Sequence, residues 1–248
     1  MMTLKNWLEQ KPFTLAMSSG YFSFYAHCGM ACAMQDAGLE PQRITGSSAG
    51  ALVGGQWASG RQPHEIKETL FGLKKEDFWD PGLGFGLLKG ELFQKLLERD
   101  LQSKNIEDCN IEFRPSTYSV FQNKVTAHSI GPLANIIRAS CAVPLMFQPV
   151  ILGGKPHLDG GIKDRPGTFG TGKNERIFYH HIIPGSPWRL NKNPKAYLPK
   201  RTNMKVLALK GLPKINPRRL ASGKEAWLIS YEKTKKALET PLKDLLCL

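Results

Sequence analysis

Residues 43–58 of the chain read RITGSSAGALVGGQWA and contain the pattern G-x-S-x-G at residues 46–50. This pattern is typical of a sharp turn that joins a strand to a helix and carries a serine at its apex. The β-branched isoleucine and threonine before it favour the end of a strand, and the small residues after it favour a helix packed closely under a sheet. Gly46 and Gly50 lack the Cβ atoms that would crowd the turn. The stretch therefore predicts a strand, a serine turn and a helix.

Ser48 stands at the apex of this turn and is the predicted nucleophile. Its hydroxyl would point into a cleft with a helix N-terminus behind it, where negative charge is favoured. The neighbouring Ser47 is predicted to point elsewhere. A glycine- and serine-rich turn can also match the pattern by chance, so the hypothesis requires a partner for Ser48 elsewhere in the chain.

Length and composition indicate an ordinary globular protein. The chain has 248 residues, of which 41% are hydrophobic and 22% charged, enough for a sizeable core. No apolar run reaches the length of a membrane span, because the best one, residues 134–152, is interrupted by Arg138, Pro144 and Pro149. Residues 1–13 are too polar for a signal peptide. Five cysteines without metal-like spacing favour a reduced, cytoplasmic protein.

The net charge of +13 is confined to one segment. Residues 163–224 hold fifteen lysine and arginine residues against Asp164 and Glu175, so the rest of the chain is neutral. Such a patch can attract an anionic membrane surface, a nucleic acid or an acidic partner, and it can equally be a solvated surface.

The first third of the chain alternates strands with helices. A buried strand at residues 13–17 precedes a helix at residues 24–38, and the strand and helix around Ser48 follow. This alternation predicts an α/β fold, a three-layer α/β/α sandwich with a mostly parallel central sheet.

The remaining elements follow from apolar periodicity, glycines and prolines. We find no internal repeat and no clear linker, and therefore predict a single domain over residues 1–248. The predicted helices are residues 60–72, 91–101, 133–140 and 222–246, and the predicted strands are residues 113–120, 124–129, 150–152, 157–158, 177–183 and 205–209.

Asp159 is the predicted partner of Ser48. It stands at the end of a strand and is followed by Gly160 and Gly161, so nothing bulky hinders a close approach. Burial beside Ser48 would raise the pKa of its carboxyl and make it a better base for the hydroxyl proton. The alternative is a structural turn, because Asp-Gly is a frequent hairpin dipeptide.

Ordered blocks of sequence resemble the patatin-like acyl hydrolases. They are G-x-S-x-G at residues 46–50, ASCAVPLMFQPV at residues 139–150 and LDGG at residues 158–161, with GLLKG at residues 86–90 as a further match. The resemblance covers roughly residues 13–166. It implies an α/β/α sandwich and hydrolysis of lipid acyl esters without calcium. It also implies a Ser–Asp dyad with no catalytic histidine, in which Ser48 is the nucleophile and Asp159 the base.

One block departs from that family. Its glycine-rich oxyanion loop reads roughly G-G-G-x-[RK]-G-x-x-H-x-G, whereas residues 19–29 read SGYFSFYAHCG. Only Gly20 of the leading glycines is present, and Ser23 stands at the basic position. This loop is closer to that of animal triglyceride lipases of the patatin group. Because backbone N–H donors do not require glycine, Ser19, Gly20 and Tyr21 remain the predicted oxyanion loop.

A rival catalytic hypothesis is an α/β-hydrolase triad of Ser48, Asp159 and either His180 or His181, an order that such enzymes allow. His27 lies on an apolar helix and is predicted to be a packing residue. The other histidines show no metal-like spacing. We therefore predict no metal and no cofactor.

Two other classes of function stay open. The first is a lipid- or membrane-binding protein that hydrolyses poorly because its glycine loop is altered. The second is a nucleic-acid-binding protein, which is disfavoured because the basic segment lacks interleaved aromatics and a recognition motif. The predicted partner is a lipid or acyl-ester substrate, with peripheral contact to an anionic membrane. Apolar and lysine residues on the helix at residues 222–246 suit either a membrane surface or the core.

Overall fold

The structure is a computed structural model that describes residues 1–183, 198–199 and 201–242. The strands are β1 Thr14–Met17, β2 Arg43–Ser47, β3 Gly86–Leu88, β4 Glu112–Ser119, β5 Lys124–Ala127, β6 Leu145–Phe147, β7 Val150–Leu152, β8 Lys155–Asp159, β9 Ile177–Ile182 and β10 Met204–Leu209. The helices are α1 Leu4–Gln10, α2 Phe24–Asp36, α3 Ala49–Ala58, α4 Pro63–Gly72, α5 Glu91–Asp100, α6 Leu133–Ser140 and α7 Ser222–Glu239.

The central sheet is mostly parallel and flanked by helices, which confirms the predicted α/β fold. Its strand order is β10-β9-β1-β2-β4-β8-β7, and β5 also pairs with β4. The strands from β10 to β4 are parallel, whereas β5, β7 and β8 pair antiparallel. Met17 is opposite Gly46 in the register of β1 with β2. The loop after β1 and the serine turn after β2 therefore meet at the same edge of the sheet.

Glycines allow α3 to pack closely against the sheet. A Cβ on Gly54 would lie 2.7 Å from Cγ2 of Ile44 on β2, and a Cβ on Gly55 would lie 3.1 Å from Cγ1 of Ile137 on α6. Cβ atoms at either position would therefore push α3 away from Ile44 and Ile137. The small residues predicted to pack under the sheet do so, and they hold the N-terminus of α3 at the sheet edge.

The predicted helix at residues 222–246 is too long at its C-terminal end. α7 ends at Glu239, and Thr240 is extended with φ −78° and ψ 135°. Thr240 precedes Pro241, and the proline ring disfavours a helical conformation for the residue before it. Residues 243–248 lie outside the described residues, as do residues 184–197 and Lys200 of the basic segment. Among the described residues, no helix combines the length and apolar character needed to cross a membrane.

Three short elements were not predicted. α1 begins with a capping box in which Thr3 and Asn6 satisfy each other's backbone N–H groups. β3 and β6 pair in parallel as a separate two-stranded sheet, with Gly86 opposite Leu145 and Leu88 opposite Phe147. Strands of three residues are too short to show a reliable alternation in sequence.

Candidate active site

The serine turn is strained and held by close packing. Ser48 has φ 53° and ψ −118°, a conformation that costs a non-glycine residue about 1–3 kcal/mol. A Cβ on Gly46 would lie 2.7 Å from the carbonyl carbon of Gly50, and a Cβ on Gly50 would lie 2.7 Å from that of Met17. Both glycines are therefore required by the approach of α3 to β1 and β2.

The end of α6 supports this turn. The backbone N–H of Ser48 donates to Oγ of Ser140 at 2.9 Å, and this hydroxyl donates to the carbonyl of Ser116 at 2.8 Å. The thiol of Cys141 donates to the carbonyl of Ser48 at 3.3 Å. The sequence predicts no role for Ser140, although it lies in the ASCAVP block, because a small polar residue in a helix does not indicate its distant partners.

Ser47 is buried beside the predicted nucleophile Ser48, and its Oγ has no hydrogen-bond partner among the described residues. We expect Ser47→Ala to retain most activity and to leave stability unchanged or slightly higher, because it removes an unsatisfied buried hydroxyl. Ester turnover and a thermal melt measure both effects. If Ser47→Ala were as inactive as Ser48→Ala, the nucleophile would be misassigned by one position.

Asp159 meets Ser48 across the sheet edge. It ends β8, and its backbone N–H donates to the carbonyl of Ala142 at 2.9 Å. Its carboxylate accepts the Gly161 backbone N–H at 2.7 Å on Oδ1, and the Ser48 side chain lies close enough to favour its charged form. A Cβ on Gly160 would lie 2.8 Å from the carbonyl carbon of Ser116. The two glycines thus let the carboxylate lie deep against β4.

Burial controls the charge of this carboxylate. Desolvation raises the pKa of Asp159 to about 6, while the nearby Ser48 side chain and the Gly161 N–H favour the charged form and oppose the rise. A carboxylate with a pKa near neutrality is a stronger base than an ordinary aspartate and is still ionised at neutral pH.

The loop after β1 lies beside Ser48, and Ser19, Gly20 and Tyr21 line the same cavity as this serine. The backbone N–H of Ser19 donates to the carbonyl of Arg165 at 2.8 Å. The backbone N–H of Ser23 donates to the carbonyl of Gly20 at 3.1 Å, which closes a turn over Tyr21 and Phe22. Phe22 has a positive φ of 54°. The amide of Ser19 is therefore engaged within the fold.

The histidines of the rival triad lie elsewhere. His180 is on β9, where its Nδ1 is 2.8 Å from Nδ1 of His27, and Nε2 of His27 donates to the carbonyl of Ser18 at 2.8 Å. Nδ1 of His181 hydrogen-bonds the hydroxyl of Tyr179 at 2.7 Å. Burial lowers the pKa of His27 to about 4 and that of His180 well below its usual value. None of the described residues that line the cavity of Ser48 is a histidine.

A cavity of about 420 Å³ opens from Ser48 and Asp159, a volume within the range of small-molecule sites. It runs between α3, α4 and α5, and β3, β6 and the loop after β1 complete its wall. Most of its lining is apolar, including Leu52, Leu70, Leu73, Phe78, Leu88, Phe93, Leu97, Val143 and Phe147. Among the described residues, no group of three or more His, Cys, Asp or Glu side chains could hold a metal ion.

Comparison with known proteins gives consistent matches. Residues 15–168 match the model of a family described as patatin-like phospholipase. An uncharacterised NTE family protein of Mycobacterium tuberculosis is 32% identical over 154 residues, which make up 60% of this chain and 42% of that protein. A lysophospholipase of Neurospora crassa is 27% identical over 167 residues, or 62% of this chain and 11% of that protein. The chain thus spans less than half the length of these relatives.

A solved structure shows the same fold over most of the chain. The crystal structure of VipD from Legionella pneumophila matches with a TM-score of 0.66 at 15% sequence identity, covering 92% of this chain and 67% of that chain.

Proposed function

Because the chain belongs to the patatin-like phospholipase family, we propose that it is a serine acyl hydrolase that cleaves lipid acyl esters through a dyad of Ser48 and Asp159. The observation that carries this proposal is the buried carboxylate of Asp159, which lies beside the Ser48 side chain at the end of a largely apolar cavity. An apolar cavity can hold the acyl chain of a lipid. A serine on a strained turn, paired with a base, can attack the ester carbonyl of that lipid.

The proposed reaction uses groups of the chain at each step. Asp159 takes the hydroxyl proton as Oγ of Ser48 attacks the carbonyl carbon, and the backbone N–H groups of Gly20 and Tyr21 stabilise the oxyanion. We assign no such role to the amide of Ser19, because it already donates to Arg165. Asp159 then protonates the leaving alcohol, which gives an acyl-enzyme. Water activated by the same carboxylate releases the fatty acid.

A fluorophosphonate probe, which forms a covalent bond with an activated serine, tests the dyad. We expect labelling of the wild type and none of Ser48→Ala. Replacing His180 and His181 together by alanine is expected to leave labelling nearly intact, provided that a thermal melt shows a folded variant. Loss of labelling in that folded variant would support the triad of the rival hypothesis.

A second candidate function is lipid binding with little turnover. It is favoured by the altered loop after β1, in which one backbone donor is already engaged and Phe22 has a positive φ. Turnover of a chromogenic short-chain ester separates the two functions, because a binding protein would take up lipid without releasing the chromophore.

We further propose peripheral contact with a lipid surface. The excess charge of the basic segment would favour anionic lipids. Leu83 and Phe85 lie just before β3 and are 100% and 89% exposed. β3 pairs with β6, whose Met146 and Phe147 line the cavity. Residues 81–88 carry no charged side chain, so this tip could enter a lipid layer beside the cavity.

We expect Phe85→Ser to weaken binding to neutral phosphatidylcholine vesicles by about tenfold, since burying a phenylalanine side chain is worth about 1.5–3 kcal/mol. Phe121→Ser is the matched control, because Phe121 is 79% exposed on the β4–β5 turn and does not line the cavity. Vesicle sedimentation measures binding. An equal effect of both variants, or none, would contradict this contact.

A further inference from the structure

The cavity ends in polar residues although most of its wall is apolar. Gln56 of α3, Thr69 of α4 and Asp100 of α5 all line it. They come from the three helices that enclose the cavity, and Gln56 is buried at 4% exposure. On α3, Leu52 lies one turn and Gln56 two turns beyond Ser48, along one face of the helix. The polar group is therefore at the end of the cavity opposite the nucleophile.

Arg61 joins these residues into one network. Its Nη1 donates to Oε1 of Gln56 at 2.6 Å, its Nη2 donates to Oγ1 of Thr69 at 2.7 Å, and Nη1 lies 3.8 Å from Oδ2 of Asp100. The side chains of Arg61 and Asp100 are only 12% and 15% exposed. Asp100 also pairs with Arg99, whose Nε is 2.7 Å from Oδ1. Separating a mostly buried charge from its hydrogen-bond partners by an alkyl chain costs free energy.

The length of the cavity follows from helix geometry. Eight residues separate Ser48 from Gln56, which at 1.5 Å per residue gives about 12 Å from the nucleophile to the polar end. Along α5, the lining residues run from Phe93 to Asp100, a span of about 10 Å by the same measure. An extended octanoyl or decanoyl chain bound with its carbonyl at Ser48 matches these distances.

We propose that Gln56, Thr69 and Asp100, held by Arg61, form a polar floor that ends the acyl site and gives the protein a preference for medium-length over long acyl chains. This inference rests on the proposed acyl-hydrolase function, and it names the class of acyl group. Methylene groups before the floor are buried against Leu52, Leu70 and Leu97, and each adds binding free energy. A longer chain must fold back or reach the charged network, so further methylene groups add no affinity. The crowded chain also holds its carbonyl further from Ser48, which lowers turnover.

The test replaces the floor by apolar residues in the triple variant Gln56→Leu, Arg61→Met and Thr69→Val. The three substitutions remove the guanidinium together with two of its acceptors, and Asp100 keeps its pair with Arg99. In the wild type, kcat/KM for 4-nitrophenyl esters should rise to decanoate and fall for laurate and palmitate. In the variant, the ratio of laurate to octanoate turnover should increase about tenfold, because roughly two more methylene groups gain burial.

Gln35→Leu is the matched control. Gln35 lies on α2, hydrogen-bonds Gln62 at 2.9 Å and does not line the cavity, so this variant should keep the wild-type length profile. Leu52→Trp, halfway along the cavity, should shift the optimum towards shorter chains. A thermal melt establishes that each variant is folded.

A binding measurement separates the floor from the hydrolase. In Ser48→Ala protein, methyl esters of increasing chain length compete with an apolar fluorescent dye, and their affinity should rise to decanoate and then level off. If affinity levels off at decanoate while the wild type hydrolyses no ester, the polar floor is supported and the hydrolase proposal fails. The floor is overturned if affinity rises evenly to palmitate, if the esters do not bind, or if the folded triple variant keeps the wild-type length profile.

Discussion

Asp159→Asn is expected to lower kcat by about a hundredfold to ten-thousandfold, the usual contribution of a positioned general base. The amide oxygen can still accept the Gly161 N–H that now bonds Oδ1 of Asp159, so the geometry is retained. The amide cannot take the proton of Ser48. Turnover of a soluble short-chain ester measures the loss without any contribution from vesicle binding.

The same substitution is expected to stabilise the protein at neutral pH. The pKa of Asp159 is raised to about 6 in the folded state from its ordinary value of 3.8, so the folded state binds this proton more tightly than the unfolded state. Stability from this group is therefore present in acid and is lost as the pH rises towards 6. The loss is about 2–3 kcal/mol, and asparagine avoids it.

Thermal melts at several pH values detect this effect. Near pH 7 the variant should melt several degrees above the wild type, since 1 kcal/mol shifts Tm by about 2–4 °C in a chain of this size. Near pH 4 the difference should vanish. Asp164→Asn is the matched control, because Asp164 is also buried with a raised pKa but does not line the cavity. Its variant should keep activity. A melting temperature below that of the wild type at every pH would contradict the account of Asp159.

The predicted turn around Ser48 could be read from sequence because its determinants are local. A strand end, two glycines and a helix of small residues follow one another within residues 43–58. The structure places Ser48 at the strained apex with Gly46 and Gly50 in close contact with their neighbours. Asp159 could be predicted as the partner of Ser48 in a similar way, because the two glycines that follow it are needed close to its carboxylate.

Features that join distant parts of the chain could not be predicted. The hydrogen bond from Ser48 to Ser140 spans 92 positions, and the pair of His27 and His180 spans 153. The polar floor forms because α3, α4 and α5 converge on Arg61. Nothing in the sequence of one helix indicates its contact with the other two. The engaged amide of Ser19 depends on Arg165, which a motif comparison of residues 19–29 does not include.

Gly50→Ala is expected to destabilise the protein by about 3 kcal/mol or more, at the upper end of the cost of overpacking a core. Its Cβ would lie 2.7 Å from the carbonyl carbon and 2.8 Å from Cβ of Met17. Met17 belongs to a strand paired on both sides with β2 and β9, so α3 must move instead. That movement displaces Ser48, the N-cap of α3, from Asp159, and activity should fall even below the unfolding temperature.

Gly72→Ala provides the matched control for this clash. Gly72 is the last residue of α4, and a Cβ there would meet nothing within 4 Å. We expect this variant to be as active as the wild type and up to about 1 kcal/mol more stable, since alanine loses less backbone entropy in a helix. Denaturant unfolding and ester turnover measured on both variants separate the clash from any general effect of adding a methyl group. If Gly50→Ala unfolded at the same denaturant concentration as Gly72→Ala, α3 would not lie as close to β1 as the strained serine turn requires.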